Sequence, residues 1–149
     1  MRSIASVLHS RAAVVLSRLV LSAIFIYAGI GKIGRPSEFA DAVLAFRILP
    51  VETVNVFAII LPWVELLCGL SILFGVGAAS AGLLLAIMNV AFIAAAVTAI
   101  VRGLHITCHC FAFAYADDKV GWSLVARDLL LLILCLPVIL GPRGERKQQ

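Results

Sequence analysis

The chain has 149 residues, of which 63% are hydrophobic and only 13% are charged; its mean hydropathy is +1.13 and its formal net charge is +4. Soluble domains carry about 25% charged residues, so this composition excludes an ordinary water-soluble fold and indicates a protein embedded in lipid. The length allows one compact domain.

Four apolar runs are long enough to cross about 30 Å of hydrocarbon at about 1.5 Å per residue. They cover residues 12–31, 53–75, 77–101 and 122–141, and a short polar tail follows at residues 142–149. Backbone polar groups must be satisfied within a membrane segment, so each run is predicted to be a helix. The predicted fold is all-α: a single transmembrane domain, 1–149, built as an integral membrane four-helix bundle.

The first run is too long for the apolar region of a signal peptide, so we expect it to remain as a span. In the segment that follows it, Phe39, Ala42, Val43 and Phe46 fall at i, i+3, i+4 and i+7, which is one face of a helix. This spacing predicts an amphipathic helix lying in the membrane interface between spans 1 and 2, which Pro50 ends. A plain connector is the alternative.

The second and third runs are separated by Val76 between two glycines, which predicts a tight antiparallel hairpin. Glu65 lies near the middle of span 2 and Arg127 about 8 Å into span 4. A charge within a span costs several kcal/mol unless it is paired or hydrated. We therefore predict an Arg127–Glu65 pair across the bundle, with a purely structural ion pair as the alternative. Asn89 is predicted to form an interhelical hydrogen bond.

The segment between spans 3 and 4 holds the Cys-X-Cys pair, Cys108 and Cys110. Fully extended, two such residues have their Cα atoms about 7 Å apart, at the limit of disulfide geometry. A disulfide between them is strained, and strained disulfides exchange readily. His105, His109 and Arg102 are nearby cations that favour the thiolate. The pattern favours a redox-active dithiol.

Two other interpretations of this segment stay open. A copper- or zinc-handling protein would use His105, Cys108, His109 and Cys110, although their spacing is too crowded for one tetrahedral zinc to use all four, so no metal ligand is assigned. A non-catalytic membrane scaffold would use the bundle only to hold a partner. The remaining two cysteines lie within spans and are expected to be packing residues.

With four spans, both termini share one side of the membrane. Five basic residues lie on that side and five on the other, so the positive-inside rule gives a tie. One acidic residue lies on the side of the termini and five lie on the other side, which favours cytoplasmic termini and an extracytoplasmic cysteine segment. Disulfides persist in that compartment. The basic residues counted are Arg2, Arg11, Arg143, Arg146 and Lys147 on one side, and Lys32, Arg35, Arg47, Arg102 and Lys119 on the other.

The stretches AGIGKIGRPSEFADAVLAFRILP, LPWVELLCGLSILFG, CHCFA and VGWSLVARDLLLL resemble the MauE family of DoxX-related membrane proteins. The resemblance implies a role in methylamine utilisation, in which a thioredoxin-like partner and a MauE protein support maturation of the disulfide-rich small subunit of methylamine dehydrogenase. The matching positions are Lys32, Pro36, Phe39, Val43, Leu49, Pro50, Pro62, Glu65, Gly69, Cys108, Cys110, Phe111, Gly121, Trp122 and Arg127.

The resemblance implies a bacterial inner-membrane protein that exchanges disulfides through Cys108 and Cys110, and so a possible thiol–disulfide oxidoreductase. Its expected partners are a thioredoxin-like protein, a disulfide-containing client and the lipid bilayer, with no nucleic acid. Glu65 and Arg127 would support the site from within the bundle.

The resemblance also implies that Lys32 and Trp122 anchor the bundle at the membrane interface. His109 stands where the family more often has glycine. The bundle also looks like the vitamin K epoxide reductase-like proteins, which suggests a quinone as a possible cofactor. The chain lacks the second cysteine pair that disulfide-generating reductases use as a shuttle, which weakens that suggestion.

Overall fold

The computed structural model describes residues 11–104 and 122–141. These residues form helices only, and four of the five helices (all except the second) are long and apolar enough to cross a membrane. The predicted all-α membrane fold is therefore confirmed, including a short helix between the first two spans. The helices are α1 (Arg11–Gly34), α2 (Pro36–Ala45), α3 (Val51–Phe74), α4 (Ala78–Val101) and α5 (Trp122–Leu140).

The hairpin between α3 and α4 is as tight as the sequence predicts. Gly75 and Gly77, with φ of 77° and 64°, take the left-handed conformation on either side of Val76. Glycine adopts this conformation without a steric penalty. Arg18 of α1 lies against this turn and donates from Nε and Nη2 to the carbonyl oxygen of Ile72, at 3.0 and 2.9 Å. The end of α3 is thus fixed to α1.

The centre of the bundle is built from one fully buried side chain from each spanning helix. Leu21, Ile72, Leu85 and Cys135 come from α1, α3, α4 and α5 in that order, and all are inaccessible to solvent. Cys68 is buried in the same cluster, and neither it nor Cys135 forms a disulfide. Both cysteines pack as small apolar residues, as predicted.

Helix α2 buries the face that its sequence spacing predicts. Phe39, Ala42 and Val43 of the helix, and Phe46 directly after its end, are all at most 9% exposed. Phe39 and Val43 pack on α3 around Ala58. The apolar face of α2 therefore lies against the protein, so α2 covers the bundle near the end of α1.

Candidate functional site

A buried ion pair joins the last turn of α1 to the middle of α3. The Nζ atom of Lys32 lies 2.7 Å from both carboxylate oxygens of Glu65, and the two side chains are only 6% and 4% exposed. Gly29 lets the helices meet closely here, because a Cβ atom at this position would lie 3.0 Å from the carbonyl oxygen of Pro62. Each charge would be costly alone within the bundle, so the pair is what allows both to be buried.

Two aromatic rings complete the surroundings of the ammonium group. The Nζ atom of Lys32 lies 5.0 Å from the centroid of the Phe39 ring and 5.6 Å from that of Phe92. Both distances are within the range of cation–π attraction, which strengthens when water is excluded. Lys32 therefore connects four elements: its own helix α1, Phe39 of α2, Glu65 of α3 and Phe92 of α4.

Three more polar side chains, from α4 and α5, lie near the Lys32–Glu65 pair. Together the five residues form the polar cluster: Lys32, Glu65, Asn89, Arg127 and Asp128. Asp128 is 6% exposed, and its Oδ1 lies 3.4 Å from Nη2 of Arg127, whose side chain is 35% exposed. Asn89 of α4 donates from Nδ2 to the backbone carbonyl oxygen of Asp128 at 2.7 Å. The predicted interhelical hydrogen bond of Asn89 is thereby confirmed, and it fixes α4 to α5 at the level of the two charges.

A small cavity of about 40 Å³ lies between the Lys32–Glu65 pair and the polar side chains of α4 and α5. It exceeds the roughly 10–15 Å³ that one water molecule requires, so the cluster has room for internal hydration. A drug-sized ligand requires about 300 Å³ or more, so this cavity excludes one. Its lining consists of Phe25, Ala28, Lys32, Phe46, Glu65, Met88, Asn89, Phe92, Leu124, Arg127, Asp128 and Leu131.

The structure corrects two predictions about this cluster. Glu65 binds Lys32, whereas Arg127 contacts Asp128, so the predicted Arg127–Glu65 pairing is wrong although both side chains line one cavity. Lys32, predicted as an interface anchor, is 7% exposed and lies inside the bundle. The reason is that α2 folds back over the end of α1. Trp122 is 68% exposed at the start of α5, and its anchoring role stays a prediction.

Cys108, Cys110, His105 and His109 lie outside the described residues, so the redox and metal interpretations stay predictions. Along the chain, residues 105–121 lead directly into α5, and Asp128 follows within two helical turns of its start. Within residues 11–104 and 122–141, no group of three or more potential metal-ligating side chains comes together.

Sequence reasoning misses one member of the cluster and one contact. Asp128 is recognisable as a charged residue within span 4, but neighbouring residues of a helix point in different directions, so its contact with Arg127 is not predicted. Phe92 gives no signal, since a phenylalanine within an apolar run resembles any packing or lipid-facing residue. Only the fold shows that its ring faces an ammonium group.

A second, larger cavity of about 350 Å³ lies between α2, α3 and α4. It shares Phe46, Met88 and Phe92 with the small cavity, so the two lie next to each other. Every side chain of its lining is apolar; the lining residues are Phe39, Ala42, Val43, Phe46, Ile48, Leu49, Phe57, Leu61, Ile87, Met88, Ala91 and Phe92.

Comparison with known proteins identifies relatives over nearly the whole chain. The family model described as methylamine utilisation protein MauE matches residues 10–141. The chain is 32% identical over 125 residues to the methylamine utilization protein MauE of Paracoccus denitrificans, an alignment covering 83% of this chain and 67% of that protein. The protein of the same name from Methylophilus methylotrophus is also 32% identical over 125 residues, covering 83% and 64%. The chain thus spans about two thirds of the length of these curated relatives. No solved structure matches it.

Proposed function

Since the chain belongs to the MauE family of methylamine utilisation proteins, we propose that it is a membrane-embedded thiol–disulfide exchange protein. Cys108 and Cys110 form its redox pair, and a thioredoxin-like protein is its partner. The exchange supports maturation of an extracytoplasmic client, which in this system is the disulfide-rich small subunit of methylamine dehydrogenase. The protein is multi-pass, and we place it in the bacterial inner membrane, with cytoplasmic termini and the cysteine pair outside.

One observation carries most weight in support of this proposal. The helix that directly follows the cysteine segment, α5, is held to α4 by the 2.7 Å hydrogen bond from Asn89 to the Asp128 carbonyl. The same helix lines a common cavity with the buried Lys32–Glu65 pair of α1 and α3. Intramembrane charges mark functional sites by default. These contacts fix the position of α5, the helix that follows the cysteine segment. A fixed position suits a reactive pair that must meet a partner in one orientation.

The proposed reaction is an exchange of sulfur–sulfur bonds. The Cys108 thiolate attacks a disulfide of the partner, which breaks that S–S bond and forms a mixed disulfide while one partner thiolate leaves. The Cys110 thiolate then attacks Cys108 Sγ, which releases the second partner thiolate and leaves Cys108 and Cys110 joined. Two electrons pass to the partner, and its two thiolates take up the two protons that the dithiol lost. The reverse sequence oxidises a partner dithiol.

A trapping variant tests this proposal. In Cys110→Ala the resolving thiol is absent, so the mixed disulfide should accumulate and appear on a non-reducing gel as an adduct that a reductant dissolves. Mass spectrometry should identify a thioredoxin-like protein in it. Cys68→Ala, which removes a buried packing thiol, is the matched control and should trap nothing.

Two results would contradict the exchange reaction. A Cys108→Ser, Cys110→Ser double variant that still matures the client favours the scaffold. Loss of function together with loss of bound copper or zinc in His105→Ala or His109→Ala variants favours the metal-handling alternative, since dithiol exchange should survive both substitutions at an altered rate.

We further propose that a lipid-soluble quinone is the second redox partner of the dithiol. A quinone accepts two electrons and two protons from the dithiol, which yields the Cys108–Cys110 disulfide and a hydroquinone. This step regenerates the disulfide that is consumed when the reverse sequence oxidises a partner dithiol. Adding a fully substituted short-chain benzoquinone to the purified, reduced protein in detergent should lower the number of free thiols by two per chain, and a dithiol reductant should restore both. An unchanged thiol count would refute this step.

A further inference from the structure

We infer that Arg11 and Arg18 of α1 bind the phosphate group of an anionic phospholipid at the end of the bundle where α3 turns into α4. Arg18 lies on the same helix as Lys32 but about 20 Å from it along the axis. The site is therefore separate from the polar cluster, and it does not depend on the thiol exchange proposed above.

Arg18 carries a positive charge that no described acidic side chain neutralises. It lies within an apolar spanning helix and is partly buried, where a charge is costly unless it is paired or hydrated. Neither Arg18 nor Arg11 forms an ion pair with a described residue. The ion pairs within the described ranges are Lys32–Glu65, Arg35–Glu38 and Arg127–Asp128. We therefore expect Arg18 to pair with an anion from outside the described residues.

The guanidinium group of Arg18 uses one edge within the protein and leaves a second edge unused. Nε and Nη2 both donate to the carbonyl oxygen of Ile72, at 3.0 and 2.9 Å. A guanidinium has five N–H donors in a planar fork, so two on Nη1 and one on Nη2 remain, and these donate to no described residue. One N–H from each Nη atom points along the second edge. Such a pair of parallel donors matches two oxygens of a phosphate group.

The α3–α4 turn places this edge at the level of the lipid headgroups. A Cβ atom at Gly75 would lie 2.5 Å from Nη2 and 3.5 Å from Nη1 of Arg18, so both nitrogen atoms lie directly at the turn. Non-helical backbone that faces lipid does not occur within the hydrocarbon region, and Val76 at the centre of the turn is 60% exposed. The turn therefore marks the edge of the hydrocarbon, where the phosphates of phospholipids lie.

Arg11 adds a second cation on the same side of α1. It precedes Arg18 by seven residues, which places both side chains on one face of the helix, two turns and about 10 Å apart. Helices α1 and α3 run antiparallel, and α3 ends at Phe74, close to the level of Arg18. Helix α1 therefore continues past the turn, and the exposed Arg11 lies beyond it. The two arginines can contact one phosphate from its inner and its outer side.

The charge and the surroundings of the site favour an anionic lipid over other phosphates. Among the described acidic residues, Glu65 comes nearest along the helices, and it is about 15 Å from Gly75. Basic sites between membrane helices bind anionic headgroups, whereas a zwitterionic headgroup carries a cation of its own close to its phosphate. Leu19 and Phe74, next to the site, are 53% and 73% exposed. They offer acyl chains an apolar surface that inorganic phosphate does not use.

Titration with phosphatidylglycerol tests the inference. Native mass spectrometry of the purified protein in detergent gives the affinity for the first lipid molecule bound. Arg11→Gln and Arg18→Gln should each lower this affinity about fivefold, the effect of one basic residue near an anionic surface, and the double variant should lower it about 25-fold. Arg18→Lys keeps the charge but loses the paired donors, so its affinity should lie between those of wild type and Arg18→Gln.

Arg47→Gln is the matched control. Arg47 is also exposed and forms no ion pair with a described residue, but it lies in the α2–α3 connection at the opposite end of the bundle. Its variant should bind phosphatidylglycerol as tightly as wild type. Phosphatidylcholine should bind wild type about fivefold more weakly, and an excess of inorganic phosphate should not displace phosphatidylglycerol.

Arg11 has no hydrogen bond or ion pair with a described residue, so Arg11→Gln keeps the test decisive if Arg18→Gln does not fold. Equal affinities of wild type and Arg11→Gln overturn the inference, as do equal affinities for the two lipids or displacement by inorganic phosphate. Glu145, the one acidic residue predicted on the side of the termini, lies outside the described residues. If Glu145→Gln binds phosphatidylglycerol about fivefold more tightly than wild type, that carboxylate is the partner of the arginines and the inference fails. An unchanged affinity supports the lipid.

Discussion

Lys32 is the residue on which the polar cluster depends most. Its ammonium group is bonded to both oxygens of Glu65 and lies close to the rings of Phe39 and Phe92. Breaking a buried ion pair by removing one partner costs more than replacing both, because the remaining charge is left buried and uncompensated. This asymmetry makes the pair testable one residue at a time.

Lys32→Met should destabilise the protein by about 3–5 kcal/mol, because Glu65 would then stay buried without its partner. A Lys32→Met, Glu65→Leu double variant should recover most of that loss, since two apolar side chains fill the space without an unpaired charge. Thermal unfolding in detergent measures both. Arg35→Met is the matched control: its partner Glu38 lies 3.5 Å away and both side chains are more than half exposed, so the change should stay within about 1 kcal/mol. Equal losses for the two single variants would contradict a special role for the buried pair.

The sequence identifies the charged residues of this cluster but not their partners. Glu65 and Arg127 both stand out as charges within apolar runs, and both line the small cavity. Which cation reaches Glu65 depends on the close approach of α1 to α3 at Gly29, and on α2 folding over Lys32. Neither is encoded in the spacing of charges along the chain.

At the scale of helices, contact between α1 and α3 depends on two glycines. A Cβ atom at Gly29 would lie 3.0 Å from the carbonyl oxygen of Pro62 and 3.1 Å from Cβ of Leu66, and one at Gly69 would lie 2.9 Å from Cγ1 of Ile26. Small residues allow helix backbones to approach in membranes, where apolar side chains gain nothing by leaving lipid. The two glycines therefore determine how closely the backbones of α1 and α3 approach each other.

Gly29→Ala should destabilise the bundle by about 1–3 kcal/mol, because the methyl group forces α1 and α3 apart. Gly34→Ala is the matched control on the same helix: a Cβ atom there meets nothing within 4 Å, so stability should be unchanged or slightly increased. The unfolding midpoints of the two variants in detergent decide the question. A Gly29→Ala protein as stable as Gly34→Ala would show that the helices can separate without loss.

Contact between α4 and α5 has a polar component that can be measured separately. Asn89→Leu removes the hydrogen bond to the Asp128 carbonyl and should cost about 0.6 kcal/mol, the average for hydrogen bonds between membrane helices, and no more than about 1.7 kcal/mol, the largest value found. Thr98→Val is the comparison, because the Thr98 hydroxyl bonds to Ala95 within its own helix. If both variants lose the same stability, the Asn89 bond does not hold the two helices together.

Run lengths and periodicity predict the helices well because lipid imposes simple requirements. A span must be long and apolar, and an amphipathic segment such as Phe39 to Phe46 must bury one face. Helix α1 nevertheless continues past the predicted end at residue 31 to Gly34. The apolar run places Lys32 just outside the predicted span, whereas its pairing with Glu65 lets the helix continue with the charge buried.

For the molecule as a whole, the polar cluster links every described helix. Lys32 joins α1 to α2, α3 and α4, and the bond from Asn89 to Asp128 joins α4 to α5. A bundle in lipid gains little from burying apolar surface. A shared set of ionic and hydrogen-bonded contacts is therefore an effective way to fix all five helices in one arrangement, and it leaves the ends of α4 and α5 as a stable frame for the cysteine segment.

The proposed topology leads to a labelling pattern in intact cells. A membrane-impermeant maleimide applied after mild reduction should label Cys108 and Cys110, because the segment that carries them is proposed to face outward. Cys68 and Cys135 are 7% and 0% exposed, so they should react only after denaturation and serve as internal controls. Variants that keep one cysteine each assign the signal.

Labelling of Cys108 and Cys110 in inverted vesicles but not in intact cells would reverse the topology and place the pair in the cytoplasm. Thiols there are kept reduced, so the pair could no longer act on an extracytoplasmic client, although exchange with a cytoplasmic partner would still be possible. Protection of both thiols in intact cells and in inverted vesicles would contradict thiol exchange itself, because a pair that no reagent can reach cannot form a mixed disulfide with a protein. The labelling pattern therefore tests the orientation of the bundle and the accessibility that thiol exchange requires.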